Sequence, residues 1–289
     1  MKTTSRTAVL VLSLSLGALT AAAAEFEKVV PVSRGMSLDV RLFGGEVAVR
    51  AWDRDEVRIR ATHFATDVID VATAGSEVSV RARARTGKPH AIDFAFDVPA
   101  WMAVSIRGTY LEVSVQGTAA GVSARTVRGD VRVSGGAGDL TLASAEGEVV
   151  LEGGRGKARL ESVNNAVRVN GFEGELVAET VSGSVKLRSV SAALVVASAV
   201  SGDISWEGPL TPKGTYQFAT HSGDVDLTVP TPANATLAIR SFEGHVHSTL
   251  AETLPDLPAR RKRFTLTLGS GAASAELETF TGTISLRPQ

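Results

Sequence analysis

The sequence predicts an all-β fold, a β-solenoid-like stack of two-strand repeat units with parallel, in-register ladders. Three observations carry this expectation. A turn motif returns about every 18–21 residues, apolar residues alternate strictly on both sides of it, and glycine is abundant (28) while aromatics are scarce (5%). The motif is clearest at 126–133 (TVRGDVRV), 180–187 (TVSGSVKL), 199–206 (AVSGDISW) and 220–227 (THSGDVDL). Its corner residues are Gly129, Gly147, Asn165, Gly183, Gly202, Gly223, Gly244 and Gly282, spaced 18, 18, 18, 19, 21, 21 and 38, the last read as about two periods. A unit this small cannot close a core alone and must bury its face on a neighbour, so a fixed short period marks a stacked architecture.

Each column of the repeat has a physical reading. Glycine and asparagine take positive φ most readily, so the corner is expected to be left-handed and Asn165 to share that conformation. Two and four places later stand apolar pairs such as Val131 and Val133, Val185 and Leu187, and Ile204 and Trp206, which alternation puts on one buried face. Asp130, Arg132, Glu148, Arg168, Lys186 and Asp203 alternate with them and are expected in solvent. Before the corner, pairs such as Leu140 and Leu142 or Tyr216 and Phe218 supply a second apolar strand. A hydroxyl column (Thr126, Ser144, Ser162, Thr180, Thr220, Ser241, Thr279) can bond backbone groups at the corner. Second corners are expected at Gly135-Gly136, Gly153-Gly154 and Gly171. Units then stack at about 4.8 Å with right-handed crossovers. A sandwich of antiparallel hairpins is the competing arrangement, and the in-register columns favour the solenoid.

Three segments are expected. Residues 1–24 read as a signal peptide: Lys2 and Arg6, an apolar run over 8–19, then four alanines ending at Ala24, a run too short to span a membrane. Residues 25–117 read as an irregular N-terminal β region, in which 43–49 is a divergent turn unit. Residues 118–289 are the regular repeat, continuous with it as one domain. The chain is thus expected to be exported, to the periplasm or the cell surface. It has no cysteine, hence no disulfide, thiol chemistry or lipid-anchored cysteine. The formal net charge of −1 falls to −3 without Lys2 and Arg6, which argues against a nucleic-acid binder.

The T-x-S-G-D-[IV] units, the Pro232-Ala233-Asn234 loop and the closing unit at 279–286 resemble the DUF4097 family of bacterial β-strand repeat proteins over residues 38–286. The resemblance implies a solenoid-like β fold at or outside the cell envelope and an adhesive role. It brings no catalytic residues to carry over. Asn165 and the 21-residue units depart from the pattern.

One constellation suggests a metal. His245 and His247 occupy the solvent columns that Asp224 and Asp226 hold one unit earlier in sequence, and two imidazoles with two carboxylates suit zinc or another divalent ion. Its bland counterpart is ordinary His–Asp pairing on a charged face. His221 reads as a corner residue rather than a base. The basic run Arg260, Arg261, Lys262 and Arg263 suits anionic lipid or acidic glycan, or is a solvated loop. Acid pairs such as Asp224 and Asp226 recur in a solvent column, unlike the unequal carboxyls of a glycosidase. No P-loop, zinc-finger cysteine or G-x-S-x-G is present, so no catalytic residue and no cofactor is expected. The leading expectation is a non-catalytic interaction or adhesion module for an envelope or surface glycan or protein. A polysaccharide hydrolase or lyase on a β-helix-like scaffold and a ligand-free structural scaffold are the alternatives.

Overall fold

A computed structural model describes residues 23–250 and 263–289, so the expected signal peptide lies almost wholly outside the described residues. The described residues hold 24 strands and no helix, arranged as two facing ladders that share one core. The long strands Ser37–Trp52 and Ala103–Thr118 run unbroken from one ladder into the other and pair in parallel over both halves. From there the repeat proceeds as expected. Val122–Thr126, Ala137–Ser144, Arg155–Ser162, Glu173–Thr180, Ser191–Ser201 and Thr215–Ser222 stack in parallel as the first ladder. Val131–Gly135, Val149–Glu152, Val167–Asn170, Val185–Arg188, Ile204–Glu207 and Val225–Val229 stack as the second.

The columns match the expected faces. Val131, Val149, Val167, Val185, Ile204 and Val225 are buried, as are Leu140, Leu142, Leu176, Tyr216 and Phe218 opposite them. Trp206 fills the wider late rungs, edge-on to Tyr216 at 5.2 Å between ring centroids, and donates its indole N–H to the Gly208 carbonyl at 2.9 Å. The buried Tyr216 hydroxyl donates to the Ala192 carbonyl at 3.0 Å, so neither aromatic leaves a polar atom stranded.

Two expectations are corrected. The first concerns the corner. Of the eight corner residues only Gly129 and Gly282 have positive φ, and Asn165 does not. Glycine is required there by crowding: a Cβ on Gly202 would lie 1.8 Å from the Gly183 carbonyl oxygen, and one on Gly183 2.0 Å from that of Asn165. Each corner carbonyl points at the next rung's Cα. The hydroxyl column caps that same carbonyl, as when Ser144 donates to Gly129 at 2.8 Å and Thr180 to Asn165 at 3.1 Å. Asn165 holds the same column without positive φ, its amide donating to the Ser162 hydroxyl at 3.2 Å.

The second correction is the order of the rungs. The 38-residue interval conceals an exchange rather than two ordinary periods. Ala273–Thr281 and Thr283–Pro288, the last unit in sequence, lie directly on Thr215–Ser222 and Val225–Val229. The earlier unit, Ala235–Ser241 with His245–Ser248, stacks outside it. Arg263–Leu268 then closes the first ladder antiparallel to Ala235–Ser241.

The opposite end is built differently. Asp67–Ala74 pairs antiparallel with Glu77–Ala84, which lies on Ser37–Trp52. In the second ladder Asp93–Pro99 follows Ser37–Trp52, with Glu56–Phe64 and Ala23–Pro31 antiparallel beyond it.

Candidate functional site

The rung exchange decides the fate of the expected metal cluster. Asp226 pairs with Ser285, and Ser285 in turn with His247, while Thr283 stands opposite His245. The acids and the imidazoles are therefore two rungs apart, about 9–10 Å at the strand spacing. Asp224 accepts the Thr283 amide at 2.7 Å and Asp226 the Arg287 guanidinium at 3.1 Å, so both carboxylates are engaged by the intervening strand. The four side chains do not converge, and no group of three or more His, Cys, Asp or Glu among the described residues is placed to hold a metal ion.

His221 lies at the edge of the stack with its ring face to face with Phe280 at 4.8 Å, and Phe280 stacks on Phe242 at 4.5 Å. It is a corner residue, its ring stacked on Phe280 and its carbonyl accepting from the Thr281 hydroxyl at 3.4 Å. Of the basic run only Arg263 lies in the described residues, as the first residue of its strand. A groove of about 300 Å³ lies there between Phe242, Phe280, Arg240 and Arg263.

The two outer faces are charged ladders that neutralise themselves. Arg159 bridges Glu161 and Glu179, Lys157 meets Glu175, Arg168 meets Glu148, and Arg188 meets Glu207 at 3.1 Å. These partners lie on the same or neighbouring rungs, because parallel in-register stacking brings each column's residues together. The hydrogen bond from Arg128 holds the Glu146 carboxyl below its ordinary range, and Glu161 holds the Arg159 guanidinium above its own. These shifts fix the charged forms, which is the reverse of what a general acid needs. A shallow hollow of about 280 Å³ on the second ladder is rimmed by Arg168, Lys186, Arg188 and Glu152.

The N-terminal end holds what sequence reasoning missed. Asp67, almost wholly buried, meets His90 Nδ1 at 2.7 Å and accepts the Phe64 amide at 3.1 Å. Asp97 accepts from both Arg58 and Arg60, and the Arg58 and Arg54 guanidinium groups each lie 5.2 Å from the Trp52 ring centre. A groove of about 440 Å³ opens beside these strands, with Glu25, Glu27, Glu46, Asp93 and Arg60 on its walls. No repeat column links these residues, so only a pairing scheme for 25–99 could have brought them together.

The family model described as Toastrack DUF4097 matches residues 33–287. A solved structure described as a putative adhesin from Parabacteroides distasonis is 8% identical with a TM-score of 0.53, over 92% of this chain and 98% of its own. Another, a putative adhesin from Bacteroides fragilis, is 13% identical over 92% and 98%, with a TM-score of 0.47. Among curated proteins none matches.

Proposed function

This chain belongs to the DUF4097 Toastrack family, and from that premise we propose that it is an exported envelope or surface protein that binds a glycan or protein partner along its ladder faces without chemically altering it. The observation that carries the reading is the mutual pairing of acids and bases on those faces, Arg159 with Glu161 and Glu179 above all. Catalysis calls for neighbouring groups whose environments differ, whereas here similar solvated side chains recur at each rung. Such a face suits many weak contacts that add along a repetitive ligand. The adhesin descriptions of structures sharing this fold agree with that role, and the basic n-region and Ala24 cleavage signal with export.

The test has two arms. Fractionation of cells expressing the full chain should place it outside the cytoplasm, in a form shortened by the signal peptide. The purified chain, passed over immobilised envelope polysaccharides and proteins, should be retained while no new reducing ends or peptide termini appear. Turnover of any retained polymer would replace the binding module with the hydrolase or lyase reading.

A further inference from the structure

The corner edge of the stack carries an apolar rail that the charged faces do not share. Two residues before each corner stand Val127, Val163, Val181, Val200, Phe280 and Phe242, exposed by 50%, 43%, 44%, 49%, 38% and 50%. The pairing registers superpose the residues directly before them, and amide bonds such as Glu146 to Val127 O, Ser182 to Val163 O and Ser201 to Val181 O carry the stacking one residue further, with Ala145 and His221 completing the line. Eight rungs at the strand spacing make a rail about 34 Å long. Its rim over the central rungs is uncharged, formed by Asn164, Ser182, Ser201 and Ser222. Charge appears beside the rail at Arg128 and Glu146, which neutralise each other, at Glu161 and Glu179, which share Arg159, and at Glu243 next to Phe242.

We propose that this rail is a self-association surface, on which a second copy of the chain packs edge to edge. The rail's size and its period select that occupant. The exposed parts of these side chains amount to about 500 Å², near the upper end of the largest patch a monomeric protein ordinarily leaves in water. Covered on two copies together with the hydroxyl rim, that approaches the roughly 1,000 Å² above which contacts are specific.

The period of the rail points the same way. Side chains spaced about 4.8 Å apart interdigitate over a long run only with a surface of the same spacing. An α-helix laid along the rail repeats at about 5.4 Å and slips by roughly 4 Å over seven steps. An extended peptide repeats at about 6.8 Å and loses step at once. Another cross-β rail keeps step throughout, and this chain carries one. The valines of one copy then fill the gaps between those of the other, and the Asn164, Ser182, Ser201 and Ser222 rim puts no like charges face to face along the central rungs.

The test is sedimentation equilibrium of the purified chain across the micromolar range, beside the double substitution Val163→Lys with Val181→Lys. Both positions are exposed, so the circular dichroism melt should be unchanged while the protein shifts from dimer to monomer. Lys186→Glu, on the charged face, should leave the dimer intact. A wild-type chain monomeric throughout the range overturns the proposal, as does a dimer that survives the double substitution. A monomer that floats with phosphatidylglycerol vesicles only while the valines are present also overturns it, and assigns the rail to a lipid surface. Ligand retention by the faces is measured separately, so failure here leaves the binding reading standing.

Discussion

The two corners of each repeat unit look alike in sequence and obey opposite constraints. At the first corner, represented by Gly202, the backbone has an ordinary φ but no room for a Cβ, because the previous rung's carbonyl lies where the Cβ would go. At the second corner, represented by Gly153 with φ of 70°, a Cβ would meet nothing within 4 Å, yet the backbone is left-handed. Ser189 holds that second corner in its own rung with φ of 51°, a non-glycine residue in the left-handed region. The lesson is that one residue type serves two needs, close stacking at Gly202 and backbone handedness at Gly153, while Gly129, Gly282 and Gly154 meet both at once.

The contrast can be broken by substitution. Gly202→Ala should be the most damaging change, lowering stability by about 2–3 kcal/mol through forced separation of two rungs. A urea midpoint equal to wild type would remove the crowding explanation. Next in size is Thr180→Val, which takes the hydroxyl from the Asn165 carbonyl and should cost about 1–2 kcal/mol. The unit at Gly202 has Ala199 where its neighbours carry a hydroxyl, so Ala199→Ser should gain up to about 1 kcal/mol by capping Gly183. No gain there would separate the hydroxyl column from the corner carbonyls.

At the second corner the effects are smaller. Gly153→Ala should cost about 1 kcal/mol, the left-handed penalty reduced by the entropy that alanine gives up less of. Ser189→Gly should be stabilising by less than about 1 kcal/mol, since it relieves strain but loosens the unfolded chain. A Gly153→Ala penalty as large as that of Gly202→Ala would erase the distinction between the corners.

Much of this molecule was legible because it repeats. Period-2 alternation identified the buried columns Val131 to Val225 and Leu140 to Phe218, and parallel register followed from their alignment. The conformation of Asn165 was not legible. A glycine column is compatible with either handedness or crowding, and only stacked coordinates show which carbonyl faces which Cα. The exchange of the last two units was hidden for a related reason. Both carry equivalent columns, so alternation assigns each to a rung without ordering the rungs. A hint was present in 263–268, where Phe264, Leu266 and Leu268 alternate but no corner unit follows directly. Such a strand extends one ladder alone and belongs at an end of the stack, beside the unit it caps. The Asp67–His90 pair was beyond reach, since its partners lie 23 residues apart in the irregular region.

Rung order governs which side chains share a face, and therefore what any face can bind. The chain contains no native cysteine, so engineered pairs report that order without interference. Asp226→Cys with Ser285→Cys, the latter a buried position, places two thiols on adjacent paired strands, about 4.8 Å apart and within disulfide reach. Asp226→Cys with His247→Cys places them two rungs apart, at roughly twice that spacing and beyond it. Under mild oxidation the first variant should form an intramolecular disulfide and the second should keep free thiols. The reverse result would put His245–Ser248 directly on Val225–Val229, contradict the rung order and bring the Asp224, Asp226, His245 and His247 side chains back together.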